Sequence, residues 1–187
     1  MAKARKLGGW MTRFKRCIDA EAGEGVSEKV IVKTGKFDDT SNYTRKAEWI
    51  RNAVRRLEEA AGMAAARRVM RACGMKCCGL TQQKRAKQFM EESRSVEELL
   101  AKLNEAGIGG GRLKLKSKTT IVGGYDWCYC GRVKQTAQPF PTDTYCHCST
   151  GWYKSLFEAG FGKPVKVKLK QSILQGAPTC EFEIKFG

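Results

Sequence analysis

The sequence predicts an α+β fold in which N-terminal helices pack on an antiparallel sheet that has one inserted helix and ends in a C-terminal hairpin. Three observations support this prediction. Apolar residues recur every three or four positions between residues 45 and 107. From residue 112, apolar residues alternate with lysines. At the end of the chain, two further segments alternate between apolar and charged residues. Amphipathic helices and strands with one apolar face bury those faces against each other, which is typical of α+β proteins.

The domain organisation follows from a change in composition near residue 44. Residues 1–44 are interpreted as a basic N-terminal extension that is partly ordered, and residues 45–187 as a single α+β domain with a helical half (45–107) and a sheet half (112–187). Within the extension, Trp10, Met11 and Phe14 indicate one short amphipathic turn, and residues 29–33 (KVIVK) favour a strand or a buried extended segment.

Three helices are predicted in the helical half. The first spans residues 45–73, because Ile50, Val54 and Leu57 fall on one helical face. The second spans about residues 81–92. The third begins at Ser95, which forms an S-x-x-E capping box with Glu98, and it ends at the glycines that follow residue 106.

The sheet half contains strands and one further helix. Residues 112–121 alternate between apolar side chains and lysines, which predicts a strand that Gly123 and Gly124 break. Ser149 is expected to cap a short helix over residues 150–160. The last two strands are predicted to pair as a hairpin, with outward lysines facing Glu181 and Glu183 across the strands.

Composition limits the classes of function. The 187 residues carry a net charge of +16, nine cysteines and a single histidine, and their hydrophobic content of 42% excludes wholesale disorder. No apolar run reaches the length of a membrane span. The N-terminus lacks a secretory apolar core, so the expected location is the cytoplasm. The charge would attract nucleic acid, but a solvated lysine face is the more ordinary explanation.

Two Cys-X-Cys pairs are the most informative motif. Residues i and i+2 of a strand share a face, so two extended pairs aligned antiparallel would bring four sulfurs together. Four close thiolates suit tetrahedral zinc, with Zn–S near ~2.3 Å, or an iron–sulfur cluster. The candidate metal ligands are therefore Cys128, Cys130, Cys146 and Cys148, with Cys73, Cys77 and Cys78 as a second tier.

Other interpretations of these cysteines stay open. Reduced cysteines also pack in proteins as small apolar side chains, and they also serve as redox thiols. A nucleophilic thiol near residues 73–78 would gain from the following helix and its basic residues. If residues 146–148 form a strand, His147 faces away from the cysteines beside it. Cys180 is expected to be a buried core thiol, and Cys17 to be incidental.

The segment from Cys128 to Phe186 resembles a group of uncharacterised bacterial proteins with CYCG and YCxCSxGWY segments, found here at residues 128–131 and 145–153. The GAPTCEF turn at residues 176–182 is similar to the last hairpin of 4-vinyl-reductase-like ligand-binding domains. The chain also resembles the L-2-amino-thiazoline-4-carboxylate hydrolase-like family, in which a helical half is followed by a thiol-bearing sheet. These resemblances imply a small-molecule ligand in a pocket between helices and sheet.

The leading hypothesis is a cytosolic, cysteine-rich module that binds zinc or an iron–sulfur cluster. The site would either stabilise the sheet or act as a redox or small-ligand sensor. The first alternative is a thiol-dependent, hydrolase-like enzyme with a nucleophilic cysteine. The second is a basic nucleic-acid-associated protein. The sequence indicates no membrane partner and leaves the oligomeric state undefined.

Overall fold

A computed structural model describes residues 9–34, 37 and 42–187. Its helices are α1 (Gly9–Ala22), α2 (Val26–Val30), α3 (Tyr43–Cys77), α4 (Leu80–Glu91), α5 (Val96–Glu105) and α6 (His147–Phe161). Its strands are β1 (Lys114–Ser117), β2 (Thr120–Tyr125), β3 (Val165–Gln171) and β4 (Cys180–Phe186). Short 3-10 turns cover Ile108–Gly111, Thr144–Cys146 and Ile173–Gln175. The predicted α+β class is confirmed.

The long helix α3 is longer than the sequence predicts and is interrupted once. Asn42 caps its start, because the Arg45 backbone N–H donates to the Asn42 side chain at 2.9 Å. The predicted stripe of Ile50, Val54 and Leu57 is buried. Gly62 has φ 78 and ψ 157, which is not helical, so α3 consists of two helical segments joined at this glycine.

The N-terminal residues pack on α3. Trp10, Met11, Phe14 and Ile18 of α1 are all buried and belong to one apolar cluster with the first half of α3. Residues 26–30 form α2, so the extended segment predicted at KVIVK is wrong for Lys29 and Val30. Residues 35–42 are rich in turn-forming residues, which predicts turns there, but of this stretch the structure describes only residues 37 and 42. The domain boundary at residue 44 stays a prediction.

Helix α5 begins where the capping box predicts. The Glu98 N–H donates to Ser95 Oγ at 3.2 Å. The Glu98 carboxylate in turn accepts from the Arg94 N–H at 2.9 Å. Leu99, Leu100 and Leu103 follow on the buried face. Two otherwise free backbone donors are thus satisfied at the helix start.

Replacement of the cap gives a small, measurable effect. We expect Ser95→Ala to lower the free energy of unfolding by about 1 kcal/mol, because the Glu98 N–H loses its acceptor. Ser95→Asp keeps an acceptor at the cap and is expected to unfold at the wild-type denaturant concentration. Urea unfolding of the two variants measures the difference; equal loss in both would contradict a capping role for the side chain.

The sheet has the antiparallel order β1-β2-β4-β3. The single strand predicted over residues 112–121 is wrong, because β1 and β2 form a hairpin that turns at residues 118–119. Alternation continues across this tight turn, so periodicity alone does not reveal it. Gly123 and Gly124 do not break the strand but lie inside β2, where a Cβ on Gly124 would approach the Cys180 carbonyl oxygen at 1.9 Å.

The C-terminal hairpin is confirmed. Its register pairs Lys168 with Glu183 as predicted, but Glu181 lies opposite Gln171, so the prediction of a lysine opposite Glu181 is wrong. Glu183 is also 3.7 Å from the Lys116 amine and 3.6 Å from the Lys185 amine. Seven exposed lysines stand on strands of this sheet or the β1–β2 turn: Lys114, Lys116, Lys118, Lys166, Lys168, Lys170 and Lys185.

The buried side chains form two clusters. The first joins α1, α2 and α3 with the segment around residues 133–146. The second joins α4, α5 and α6 with the inner face of the sheet. Leu169 packs against both clusters, which therefore meet near the sheet edge. Across the described part of the chain, no helix is both long and apolar enough to cross a membrane.

Candidate functional site

A cavity of about 410 Å³ lies where the two clusters meet. Its wall comes from the end of α3, the start of α4, the turn after α5, the end of β2 and the start of α6. Six of the nine cysteines line it: Cys77, Cys128, Cys130, Cys146, Cys148 and Cys180. Such a volume is in the range of small-molecule sites, and it lies between helices and sheet.

The sheet positions one end of the cavity. Tyr125, the last residue of β2, pairs with Cys180, the first residue of β4. The Tyr125 ring stacks on the Tyr153 ring of α6 at a centroid distance of 5.6 Å. Tyr153 is completely buried and donates its hydroxyl to the Gly109 carbonyl at 2.8 Å. The end of the sheet, the turn after α5 and helix α6 are thereby held together.

The first Cys-X-Cys pair lies in an irregular segment that follows β2. The Val133 and Lys134 N–H groups both donate to the Cys130 carbonyl at 3.0 Å, which turns the chain immediately after the pair. Val133 is completely buried and anchors that turn in the first cluster. The Cys130 sulfur is 3.1 Å from the Tyr145 hydroxyl, within hydrogen-bond distance.

The second Cys-X-Cys pair starts a helix, so the extended conformation considered for residues 146–148 is wrong. A 3-10 turn at Thr144–Cys146 runs directly into α6, which begins at His147 and not after Ser149. Contacts with α3 hold this start in place. The Arg67 guanidinium lies 2.7 Å from the Asp143 carboxylate, and the Thr142 hydroxyl donates to Glu58 at 2.6 Å. These long-range contacts override the alternation that favoured a strand.

The flat arrangement of four sulfurs on paired strands is therefore not formed. Among residues 9–34, 37 and 42–187, no group of three or more His, Cys, Asp or Glu side chains is arranged to hold a metal ion. Cys128, Cys130, Cys146 and Cys148 nevertheless all line one cavity, as the sequence led us to expect of a shared site. Their common position was predicted for the wrong geometric reason.

The three second-tier cysteines lie in three different environments. Cys77 is exposed and lines the cavity at the end of α3. Cys78 is buried in the second cluster, and Cys73 is buried in the first. Cys180 is buried as predicted, but it also lines the cavity, and its sulfur accepts from the Ile173 N–H at 3.4 Å. The alternating pattern in the sequence places Cys180 among the core residues, but it does not show that Cys180 also lines the cavity.

His147 points away from the cavity, toward α3. Its Nε2 lies 3.5 Å from the Asp143 carboxylate, and its Nδ1 lies 3.4 Å from the Arg71 guanidinium. Burial lowers the pKa of His147, and Asp143 opposes that shift. His147 contributes to the attachment of α6 to α3. A Cys/His pair with the neighbouring cysteines is not formed.

Burial disfavours ionisation of Cys128, Cys146 and Cys148 in the cavity, because it raises the pKa of each thiol. Burial raises the pKa of Cys128 to about 11 and that of Cys146 to about 12. Burial also raises the pKa of Cys148, and the nearby thiols Cys130 and Cys77 add to the effect. The Cys146 sulfur lies 2.8 Å from the Ser172 hydroxyl, which partly offsets its shift. A thiolate in this environment would have several like neighbours and little solvation.

Alkylation rates should reflect these environments. At pH 8 we expect a maleimide to label Cys77 at least ~100-fold faster than Cys146, because the exposed thiol is accessible and the pKa of Cys146 is raised to about 12. Peptide mass mapping after timed labelling measures both rates. Labelling in guanidinium, where both cysteines are exposed and should react at equal rates, is the reference. Equal labelling rates of Cys77 and Cys146 in the native protein would contradict the burial of Cys146.

Aromatic and charged residues complete the cavity. Tyr129 is 53% exposed and packs edge-on against Tyr125 at 5.2 Å. Trp127, 60% exposed, lies beside Tyr129 at the same distance. Arg85 and Arg132 are the charged residues of the described lining, which contains no Asp, Glu or His. Neither arginine was identified from the sequence, because isolated arginines in a chain of this charge give no distinguishing signal.

Two glycines allow α3 and α6 to cross in backbone contact. A Cβ on Gly151 would lie 2.0 Å from the Arg71 carbonyl oxygen. A Cβ on Gly74 would lie 1.8 Å from the Cys148 carbonyl oxygen. Hence the start of α6, with Cys146 and Cys148, is positioned by main-chain contact. The short distances leave no room for a side chain at either position.

The fold and the cavity define an α+β protein with a cysteine-rich, ligand-sized pocket. Residues 3–186 match the model of a family described as "Family of unknown function (DUF6144)", and the chain belongs to that family. No curated protein was found to match the chain. The resemblances to vinyl-reductase-like domains and to the thiazoline-carboxylate hydrolase-like family stay predictions.

Proposed function

We propose that this protein binds a small organic molecule in the cysteine-lined cavity. The observation that carries the proposal is the cavity itself, whose volume of about 410 Å³ suits a small ligand. Its lining is mainly apolar and aromatic, with few polar groups to orient a ligand. The proposal retains the small-ligand part of the sequence-based hypothesis.

The side chains favour a ligand with an aromatic or apolar body and an anionic group. Tyr125, Tyr129 and Trp152 offer ring surfaces. Arg85 and Arg132 supply positive charge, and the described lining has no carboxylate that would oppose an anion. A planar carboxylate is the simplest class of ligand that would contact both the aromatic rings and the arginines.

Binding is better supported than nucleophilic catalysis. A nucleophilic cysteine needs a lowered pKa or an adjacent base. Burial instead raises the pKa values of Cys128 and Cys146 to about 11 and about 12. His147, the one histidine, faces Asp143 and Arg71. A thiol-dependent enzyme therefore remains the less favoured alternative.

A thermal-shift series with aromatic carboxylates tests the proposal. We expect several carboxylates to raise the melting temperature of the wild-type chain, while the corresponding primary amides do not. The double variant Arg85→Gln and Arg132→Gln should lose this response. Lys87→Gln is the matched control, because Lys87 also lies on α4 but pairs with Glu91 outside the cavity. No response to any carboxylate, or an undiminished response in the double variant, would refute it.

An iron–sulfur cluster is the second candidate, favoured by six cysteines around one cavity. Among the described residues no group of three or more ligands is arranged to hold a metal ion, so this candidate rests on the shared cavity. Anaerobic purification followed by iron, zinc and sulfide analysis tests this candidate. Stoichiometric iron and sulfide should be lost in Cys128→Ser with Cys146→Ser and kept in Cys17→Ser, which lies outside the cavity. Metal-free, stable wild-type protein would reject it.

Nucleic-acid binding stays a prediction from charge alone. The exposed lysines of the sheet supply the positive charge, and the exposed Tyr129 belongs to the cavity lining. Retention on heparin that falls steeply with salt would support it.

A further inference from the structure

Strand β3 lies at one edge of the sheet and pairs with β4 on one side only. On its other side, helix α6 closes the start of the strand. The Val165 N–H donates to the Glu158 carboxylate at 3.1 Å, and the Val165 carbonyl accepts from the Lys154 amine at 3.3 Å. Both backbone groups of Val165 therefore point away from β4.

The backbone groups of Val167 and Leu169 point to the same edge as those of Val165. In a regular antiparallel strand, alternate residues present their N–H and C=O groups to the same side. The register agrees, because Val165 lies opposite Phe186, whose N–H donates at 2.9 Å to the Thr119 carbonyl on the β2 side. No group in the described part of the chain bonds to the backbone of Val167 or Leu169 at this edge. The edge thus has two free donors and two free acceptors.

The side chains along this edge alternate between charged and apolar groups. Lys166, Lys168 and Lys170 are exposed on the outer face of the sheet, whereas Val167 and Leu169 are half-buried on the inner face. Among the described residues, no carboxylate forms an ion pair with any of these three lysines. The edge therefore combines free backbone groups with unpaired positive charge.

Charge disfavours a second copy of this chain as the occupant of the edge. Two β3 strands paired antiparallel would set lysines opposite lysines, which destabilises a sheet. Strand β3 already has one like-charged pair, because Lys166 lies opposite Lys185 of β4. Lysines on an edge strand oppose pairing with like edges. The same lysines favour a strand of opposite charge.

Strand β4 shows which kind of segment pairs with β3. Acidic and apolar residues alternate in its EFEI segment at residues 181–184, and Glu183 lies opposite Lys168. A second strand with this alternation, on the free edge, would place carboxylates opposite the lysines of the outer face. Its apolar side chains would lie beside Val167 and Leu169 on the inner face.

We propose that the free edge of β3 binds an extended segment of a partner protein in which acidic residues alternate with apolar ones. The segment would add a fifth, antiparallel strand to the sheet, and its backbone would satisfy the free groups of Val167 and Leu169. Because Val165 is bonded to α6 and the register shifts after Leu169, the edge fits a segment of about five residues. Neither Val167 nor Leu169 lines the cavity, so this proposal does not depend on the ligand proposed there.

Amide hydrogen exchange of the free chain tests whether the edge is open. The N–H groups of Val167 and Leu169 should exchange with deuterium at least ~10-fold faster than those of Lys166 and Lys168, which bond to β4. Equal protection of all four amides would overturn the free edge and the proposal with it. Protection that appears only as the protein concentration rises would assign the edge to a second copy instead, which also overturns the proposal.

Titration of the isotope-labelled chain with the acetylated and amidated peptide EVEVE tests the partner by NMR. The amide resonances of Val167 and Leu169 should shift, and their exchange should slow. The same peptide with N-methyl groups on both valines keeps the charge but loses the two donors that face β3, so it should bind at least ~10-fold more weakly. Equal binding of the two peptides would indicate attraction by charge alone and overturn the proposal. So would the absence of shifts with EVEVE and with peptides that carry isoleucine or phenylalanine in place of valine.

Charge reversal supplies the matched control. Lys166→Glu combined with Lys170→Glu should weaken EVEVE binding at least ~10-fold, because carboxylates would then face carboxylates across the strands. Lys166→Glu also removes the like-charged pair with Lys185, so the fold should be retained. Lys114→Glu combined with Lys118→Glu makes the same change of charge at the opposite edge of the sheet and should keep binding. Equal weakening in both double variants would overturn the assignment to β3.

Discussion

Gly151→Ala is expected to destabilise the protein by about 3 kcal/mol or more. The added Cβ would lie 2.0 Å from the Arg71 carbonyl oxygen and 2.9 Å from the Met75 backbone nitrogen. Backbone atoms do not rotate aside as side chains do, so α3 and α6 must separate. That separation would also move the start of α6, which carries Cys146 and Cys148.

The matched control lies on the same helix. A Cβ on Gly160 would meet the Ala86 carbonyl oxygen at 3.4 Å, at the edge of ordinary contact. Gly160→Ala should therefore be neutral or slightly stabilising, because alanine favours helix by about 1 kcal/mol over glycine. Urea unfolding followed by circular dichroism compares the two variants. Similar stability of Gly151→Ala and Gly160→Ala would show that the helix crossing tolerates expansion.

Alkaline pH is expected to weaken the fold through the cavity thiols. Well below about pH 8.5, the pKa of an unfolded thiol, Cys128 and Cys146 are protonated in both the folded and the unfolded chain, so they contribute no pH dependence. Above that pH the unfolded chain loses the protons, whereas the folded chain keeps them because the pKa values of Cys128 and Cys146 are about 11 and about 12. The free energy of unfolding should then fall by about 1 kcal/mol per pH unit for each thiol.

Serine substitution isolates this contribution, since a serine hydroxyl does not ionise in the same range. Cys146→Ser keeps a hydrogen-bonding group beside Ser172 and should flatten the decline between pH 9 and 11. Cys77→Ser changes an exposed thiol and should leave the profile at its wild-type slope. Urea unfolding at several pH values measures the slopes; the same slope in all three proteins would contradict a buried, protonated Cys146.

Local patterns in the sequence were sufficient to predict most of the helices and the C-terminal hairpin. The Ser95 cap and the stripe from Ile50 to Leu57 depend on neighbours within a few turns, and both are found in the structure. The β1–β2 hairpin was missed because the alternation runs through its turn. The start of α6 was missed because it depends on Arg67 and Glu58, which are more than 70 residues away.

The candidate site shows the same division. Cys128, Cys130, Cys146 and Cys148, which their repeated spacing marks as candidate metal ligands, line one cavity, and their role as metal ligands stays a prediction. Cys180 and the two arginines reach the same cavity from β4, α4 and the segment after β2, and no local pattern marks them.

The cavity lies between two apolar clusters, and each cluster is expected to unfold locally on its own. The clusters share few side chains, so the regions around α1 and the sheet are expected to exchange their amide hydrogens with deuterium at two distinct rates. A molecule bound in the cavity would touch both clusters at once and add the same protection to each. Ligand binding should then slow amide exchange in both regions by the same factor, because opening of either region releases the ligand.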